Sequence, residues 1–253
     1  MKKLLIFVVV MLIIIFSKQI NLLIKIFINF PRLIKYRVID NYRYKKSDDF
    51  PYGCTFYVGK QGSGKTISMV HELDRIRKEF PKVKIYTNFG YKYQTYALED
   101  LNDLSNEYFY NGEDGTVFAI DEIQNEFNCF ERVSPEILGA ITQQRKHKCC
   151  ILVTSQVFTR VSKSIREQAF TVVECMTLLK RLTIGKYFDG IEYADCVDKS
   201  DDTKQKKCPL IKYSCFVQSD EIRKEYNTFD IIKRLARGGN NIYEKIFVNN
   251  VDN

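Results

Sequence analysis

Gly59-Lys60-Gln61-Gly62-Ser63-Gly64-Lys65-Thr66 carries the spacing GxxxxGK[ST] in full. Glycines without a Cβ let consecutive backbone N–H groups converge on an anion. A helix starting at such a loop adds the positive end of its dipole. Lys65 would reach the β- and γ-phosphates of a nucleoside triphosphate, and Thr66 would ligate Mg²⁺. Further along, the apolar stretch 117–120 ends in Asp121-Glu122. A carboxylate at a strand end holds Mg²⁺ through water, and a second one beside it can take the proton of the attacking water. Asp121 is therefore assigned to the metal and Glu122 to the base. Gln156 closes the apolar run "CCILVTSQ" (149–156), expected next to the acidic strand, where it would orient the water or sense the γ-phosphate. The chemistry that these residue types and spacings describe is hydrolysis of ATP with Mg²⁺.

Such groups need a sheet to position them, and the sequence around them supplies one. "CTFYV" before the loop reads as a buried strand. After it, "TISMVHELDRIRKEF" has apolar residues at 67, 69, 70, 73, 76 and 80, a helical period. "KIYTNF" (84–89), 117–120 and 149–156 are further apolar strands, continuous as buried parallel strands are. The fold class expected is α/β, a P-loop NTPase with a mostly parallel sheet flanked by helices. The stretch 170–197 alternates in β fashion around Gly185 and Gly190 and predicts added antiparallel strands, with 211–218 as the last strand and a helix after it. Between them, 198–209 is a charged loop. Residues 91–114 are polar and tyrosine-rich, with a short helix at 98–107. The ATPase domain is placed at 51–235 and a loose tail at 236–253.

The N-terminus reads differently. Residues 4–16 are thirteen uninterrupted apolar residues, and apolar character continues to Phe30, broken by Lys18, Gln19, Asn21, Lys25 and Asn29. This predicts one transmembrane helix over about 4–24 that runs into an interfacial turn near Pro31, so 1–31 form a membrane segment and 32–50 a basic linker. Lys2 and Lys3 precede it, whereas Arg32, Lys35, Arg37, Arg43, Lys45 and Lys46 follow it. The heavier flank puts the C-terminal body in the cytoplasm, with the protein at the cytoplasmic (inner) membrane. The eight cysteines form no CxxC pair and there are only two histidines, which argues against zinc and for free thiols in a reducing compartment. The net charge is +8, a balance compatible with DNA as a partner.

"VGKQGSGKT", "KIYTNF", "VFAIDEIQNEF", "QQRKHK" and "ILVTSQVFTRVSKSIRE" together resemble the Zot (zonular occludens toxin) family, over about 52–175. That family includes the membrane-bound assembly ATPases of filamentous phages and belongs to the FtsK/HerA group of DNA-pumping, RecA/FtsK-like ATPases. The Thr87-Asn88 strand end and the arginine-rich segment before the Thr-Ser-Gln strand are the more specific parts. Where the family often has Arg-His-x-Gly, this chain has Arg145-Lys146-His147-Lys148. Family members often carry their membrane helix after the ATPase domain rather than before it.

The resemblance implies a homo-oligomeric ring, plausibly a hexamer, with Gln156 as polar sensor and an arginine supplied in trans by Arg145 or Arg166. It also implies DNA, with phage coat or channel proteins as further partners. The leading reading is a membrane-anchored ATPase that powers DNA translocation or phage extrusion. A plasmid-mobilisation or viral DNA-packaging ATPase is the alternative, and a nucleotide-gated membrane scaffold is the alternative of another class.

Overall fold

The computed structural model describes residues 2–44, 49–98, 100–127, 129, 130, 132–198 and 208–226, with side chains from residue 23 onward. The expected tail at 236–253 lies outside the described residues. The chain divides into two compact units, 1–49 and 50–253.

The first unit is built on α1 (Lys2–Arg43), a single helix that passes through Pro31. It runs beyond the turn expected at that proline. Leu33, Ile34, Lys35 and Arg37 are good or tolerable helix formers, and they carry the helix into the stretch read as linker. Its apolar side chains are exposed from Leu23 to Val38, Phe27 by 79% and Ile28 by 68%. Among the described residues, no helix is long and apolar enough to cross a membrane. The apolar run 4–16 falls in the part of α1 whose side chains lie outside the described residues.

The second unit is an eight-stranded sheet with flanking helices. The strands are β1 (Gly53–Val58), β2 (Lys84–Thr87), β3 (Tyr96–Ala97), β4 (Thr116–Ile120), β5 (Cys149–Ser155), β6 (Ala169–Leu178), β7 (Leu182–Asp189) and β8 (Leu210–Val217). Their order is β3-β2-β4-β5-β1-β6-β7-β8. The six strands from β3 to β6 are mutually parallel, and β7 and β8 are added antiparallel. β4 and β5 are buried along their whole length, which explains their unbroken apolar sequence.

Alternation along the strands serves two cores. On one face Tyr57, Val117, Ala119 and Leu152 pack against Ile67, Val70, Leu73 and Ile76 of α2 (Lys65–Glu79). On the other, Phe56, Val58, Phe118, Ile120 and Val153 pack with Ile137 and Ile141 of α3 (Pro135–Thr142) and Ile165 of α4 (Lys163–Arg166).

Strand alternation was expected to continue through 190–197, but that stretch is helical, α5 (Gly190–Asp198). The cause is local. The Asp189 carboxylate accepts from the backbone N–H of Ile191 (3.0 Å) and Glu192 (3.1 Å), a side-chain cap that ends the strand and starts a helix. After β8, Ser219 caps α6 (Asp220–Arg223), which ends with Lys224 as its C-cap, so the longer helix expected there is cut short; the rest of that stretch, from 227 on, lies outside the described residues. The short helix foreseen at 98–107 is a pair of 3₁₀ turns, at Leu101–Ser105 and Glu107–Phe109.

Candidate active site

Parallel strands present their C-terminal ends at one edge of the sheet. There β1, β2, β4 and β5 bring together the phosphate loop, Asn88, Asp121-Glu122 and Thr154–Gln156. The loop joins β1 to α2, and its glycines are required by geometry. Gly64 has φ +91, and a Cβ on it would stand 2.5 Å from Thr177 Oγ1. Gly59 has φ +146, and a Cβ there would stand 2.9 Å from the Cys175 carbonyl oxygen. Both lie in the left-handed region that side chains disfavour. α2 begins at Lys65 with no acidic residue in its first turn, so its positive end faces the loop unneutralised.

Lys65 is 8% exposed and donates through Nζ to the Lys60 carbonyl at 3.2 Å. Burial pulls its pKa down, against the raising influence of Asp121 and Glu122. Ser63 Oγ is buried without a hydrogen-bond partner among the protein atoms. An orphaned hydroxyl and a cradle that any Cβ would obstruct both fit a phosphate group.

Thr66 Oγ1 donates to Asp121 Oδ1 at 3.0 Å, and the Thr154 hydroxyl donates to the same oxygen. Asp121 is 6% exposed. Burial raises its carboxyl above the usual range, opposed by those two hydroxyls. A hydroxyl and a carboxylate oxygen this close are the donor set of a hard divalent cation, whose charge would offset the cost of burial. The residues present therefore fit Mg²⁺.

Asn88, one residue past β2, clamps the Asp121 backbone. Its Oδ1 accepts from the Asp121 N–H at 2.7 Å, and its Nδ2 donates to the Asp121 carbonyl at 3.1 Å. This gives a physical role to the Thr-Asn strand end. Replacing Asn88 by alanine strands both buried backbone groups. An unpaired buried group costs about 1–3 kcal/mol, so a loss of about that size or more is expected in urea unfolding, with slower ATP hydrolysis. Unchanged stability would show that the clamp is dispensable.

Glu122 has φ 54 and ψ 50, left-handed for a side-chain-bearing residue. This costs about 1–2 kcal/mol. The conformation is held by Glu122 N–H donating to Thr154 Oγ1 (2.9 Å) and by a turn bond from Asn125 N–H to the Glu122 carbonyl (2.9 Å). It turns the carboxylate toward Gln156, whose Nε2 donates to Oε1 at 2.8 Å, while Asn125 Nδ2 donates to Oε2 at 3.1 Å. Gln156 thus touches Glu122 directly and orients it.

The two arginines go elsewhere. Arg166 is 8% exposed, pairs with Asp198 at 2.7 Å and donates to the Val161 carbonyl at 3.1 Å. It is a structural cation tying α4 to α5, which corrects the expectation that it is held out for a neighbouring subunit. Arg145 lies in the turn before β5, its guanidinium 5.7 Å from the centre of the Tyr52 ring. The length of β5 separates that turn from Gln156, about 20 Å at ~3.3 Å per residue. Within its own subunit Arg145 is at the opposite end of the sheet from the phosphate loop.

One support was invisible in the sequence. Thr177 Oγ1, from β6, donates to the Ser63 carbonyl at 2.9 Å. Gln218 Nε2 donates to Thr183 Oγ1 at 2.7 Å and lies 3.4 Å from Thr177 Oγ1, and Arg223 Nε donates to Gln218 Oε1 at 3.0 Å. The added strands thereby brace the loop from below. No motif joins residues so far apart, and only the pairings of β6 with β1 and β7 and of β7 with β8 bring them together.

A match to the zonular occludens toxin (Zot) family spans residues 54–226, more than half of the chain. The chain belongs to the Zot family. The Zot match takes in every strand from β2 to β8, the whole phosphate loop and both acidic residues. Among solved structures, the N-terminal domain of zonular occludens toxin from Neisseria meningitidis is similar, with 16% identity and a TM-score of 0.51, covering 69% of this chain and 98% of that one. The genome-packaging NTPase B204 from Sulfolobus turreted icosahedral virus 2 follows, with 16% identity and a TM-score of 0.41, covering 55% of this chain and 92% of that one. No curated protein matches the sequence. With the Zot family shown and its nucleotide site intact, the protein is a P-loop ATPase.

Proposed function

We propose that this Zot-family ATPase is anchored in the cytoplasmic membrane by its N-terminal helix and spends ATP on moving DNA during phage assembly and extrusion. The observation that carries the hydrolytic part is Glu122. A base held between two amides beside a Thr66–Asp121 pair is built for turnover rather than for a passive switch. Lys65 and the loop N–H groups would bind the phosphates, and Thr66 and Asp121 would hold Mg²⁺, Asp121 through water. When bound, that ion would supply charge neutralisation for the phosphates. Glu122 takes the proton of the attacking water, and Gln156 fixes the carboxylate that does so.

The anchor is supported by the apolar run 4–16, by the exposed apolar residues that follow it on α1, and by the basic flank at 32–46. A cytoplasmic body and a ring of identical subunits belong to the same proposal, as does a trans arginine. Arg145 is its candidate, because its own site is out of reach. DNA is supported by the net charge of +8 and by family membership. Packaging of duplex DNA is the second reading.

The test is ATP hydrolysis by the full chain in lipid vesicles, with single-stranded DNA, duplex DNA or neither. Stimulation by single-stranded DNA supports extrusion, and stimulation by duplex supports packaging. Hydrolysis indifferent to both would overturn the DNA reading and point to a protein-assembly substrate.

A further inference from the structure

At the edge where the parallel strands begin, β6 carries a β-bulge. Cys54 of β1 pairs with Ala169 and Thr55 with Thr171, so Phe170 is an extra residue with no partner on β1. Bulges at a sheet rim re-aim a side chain. Here that side chain is a phenyl ring, 57% exposed. It is held where it stands. A Cβ on Gly53 would lie 2.8 Å from its Cγ, so the ring rests on bare backbone. The exposed Tyr52 ring packs edge-on against it, with centroids 6.0 Å apart. Two rings fixed outside the core are an apolar surface offered to something beyond the domain.

The same edge is basic. Lys82 and Lys84 stand at the start of β2, and Arg145, Lys146 and Lys148 in the turn before β5. Glu113 and Asp114, before β4, are fewer, and Glu167, before β6, pairs with Lys163 at 3.8 Å. From β2 to β6 is four strand spacings, about 19 Å. Aromatic rings beside cations fit the headgroup region of an anionic bilayer, where such rings sit at the boundary and Lys and Arg are drawn to the charged lipid. Duplex DNA offers phosphates but no apolar layer to receive Phe170. The chain also enters the sheet here. Tyr52 follows Arg43, the last residue of α1, by nine positions. However the two units are disposed, nine residues reach at most about 30 Å. A helix held in the bilayer therefore keeps this edge at a high effective concentration of lipid.

We propose that this edge of the ATPase domain is a second membrane contact, with Phe170 and Tyr52 entering the headgroup boundary of an anionic bilayer and Lys82, Lys84 and Lys146 meeting its phosphates. The inference rests on the reading of α1 as an anchor. It also orients the domain, because the phosphate loop, at the other ends of the strands, then faces away from the lipid.

The sequence has no tryptophan, so one introduced indole reports alone. Full chains carrying Phe170→Trp, Tyr52→Trp or Leu179→Trp are reconstituted in phosphatidylcholine vesicles with or without phosphatidylglycerol, part of the lipid having brominated acyl chains. Leu179, in the turn between β6 and β7, is 92% exposed at the opposite edge. With phosphatidylglycerol, quenching is expected at 170 and 52 and not at 179. Adding Lys82→Gln and Lys146→Gln together to the Phe170→Trp chain should weaken the contact about thirtyfold, at roughly fivefold for each basic side chain near an anionic surface. Arg145 stays unchanged, because a neighbouring subunit is its other candidate partner. Quenching that is absent at 170 and 52, equal at all three positions, indifferent to phosphatidylglycerol or unaffected by the lysine substitutions overturns the proposal. So does a change of emission at 170 on adding single-stranded DNA to neutral vesicles, with no response to phosphatidylglycerol, which would give the edge to nucleic acid. Flotation of the same samples separates the two readings. A chain that floats with neither kind of vesicle sinks the anchor reading and this inference with it, whereas flotation without quenching sinks this inference alone.

Discussion

Glu122→Gln stops ATP hydrolysis and leaves the nucleotide bound. The substitution is isosteric and removes only the ability to accept a proton. A positioned general base contributes typically ~10²–10⁴-fold, so the turnover rate should fall by about that factor. ATP affinity should change little, because the phosphates are held by the loop and Lys65. The local fold should also survive. Gln156 and Asn125 each give one amide N–H to the carboxylate, and either can turn its amide by 180° to present oxygen to the new Nε2. The strained backbone at φ 54 is held by the Thr154 hydroxyl and by a turn bond, neither of which involves the exchanged atoms. Steady-state hydrolysis and calorimetric ATP binding, measured side by side, decide the matter. Hydrolysis near the unmodified rate would move the base elsewhere and favour the nucleotide-gated scaffold.

Much of the fold was legible because local pattern and tertiary role coincide. β4 and β5 are apolar without alternation because they are buried on both faces, and the loop announces itself because only glycine fits at 59 and 64. Asp121 and Glu122 were readable as a carboxylate pair at a strand end, although their division of labour depends on Thr66, Asn88, Thr154 and Gln156, which arrive from α2 and from the ends of β2 and β5. The errors have equally local causes. Alternation carried past Gly190 looked like strand, but the Asp189 side chain caps a helix there, and a cap outweighs a weak β pattern. Arg166 looked like one of two candidates for a trans arginine. Burial against Asp198 decides its role, and a partner 32 positions away is not written into its neighbourhood. The brace through Thr177, Thr183 and Gln218 was illegible for the same reason: three ordinary polar residues acquire meaning only from strand register.

Lys65→Met abolishes nucleotide binding and raises the melting temperature. The first half follows from charge. The ammonium is the cation placed to meet the β- and γ-phosphates, and methionine keeps the stem while removing the donor, so affinity for ATP should fall by about a hundredfold or more. The second half follows from the cost of holding that cation ready. Lys65 is 8% exposed and, among the described residues, its Nζ has one hydrogen bond, to the Lys60 carbonyl. That carbonyl also accepts from the Ser63 N–H at 3.1 Å, so removing the lysine does not orphan it. Burial lowers the folded-state pKa of Lys65 below its unfolded value. The charged form therefore weakens the folded state below the folded pKa, and the penalty is relieved only as pH rises toward the unfolded one. Below the folded pKa the penalty is fully present, and the uncharged side chain escapes it. Thermal unfolding of both proteins without nucleotide is the check. A lower melting temperature for Lys65→Met would mean that the ammonium supports the loop by itself. An intact ATP affinity would mean that Lys65 does not meet the phosphates. The predicted pairing of lost binding with gained stability is the mark of a residue kept for its ligand, at the expense of the fold that carries it.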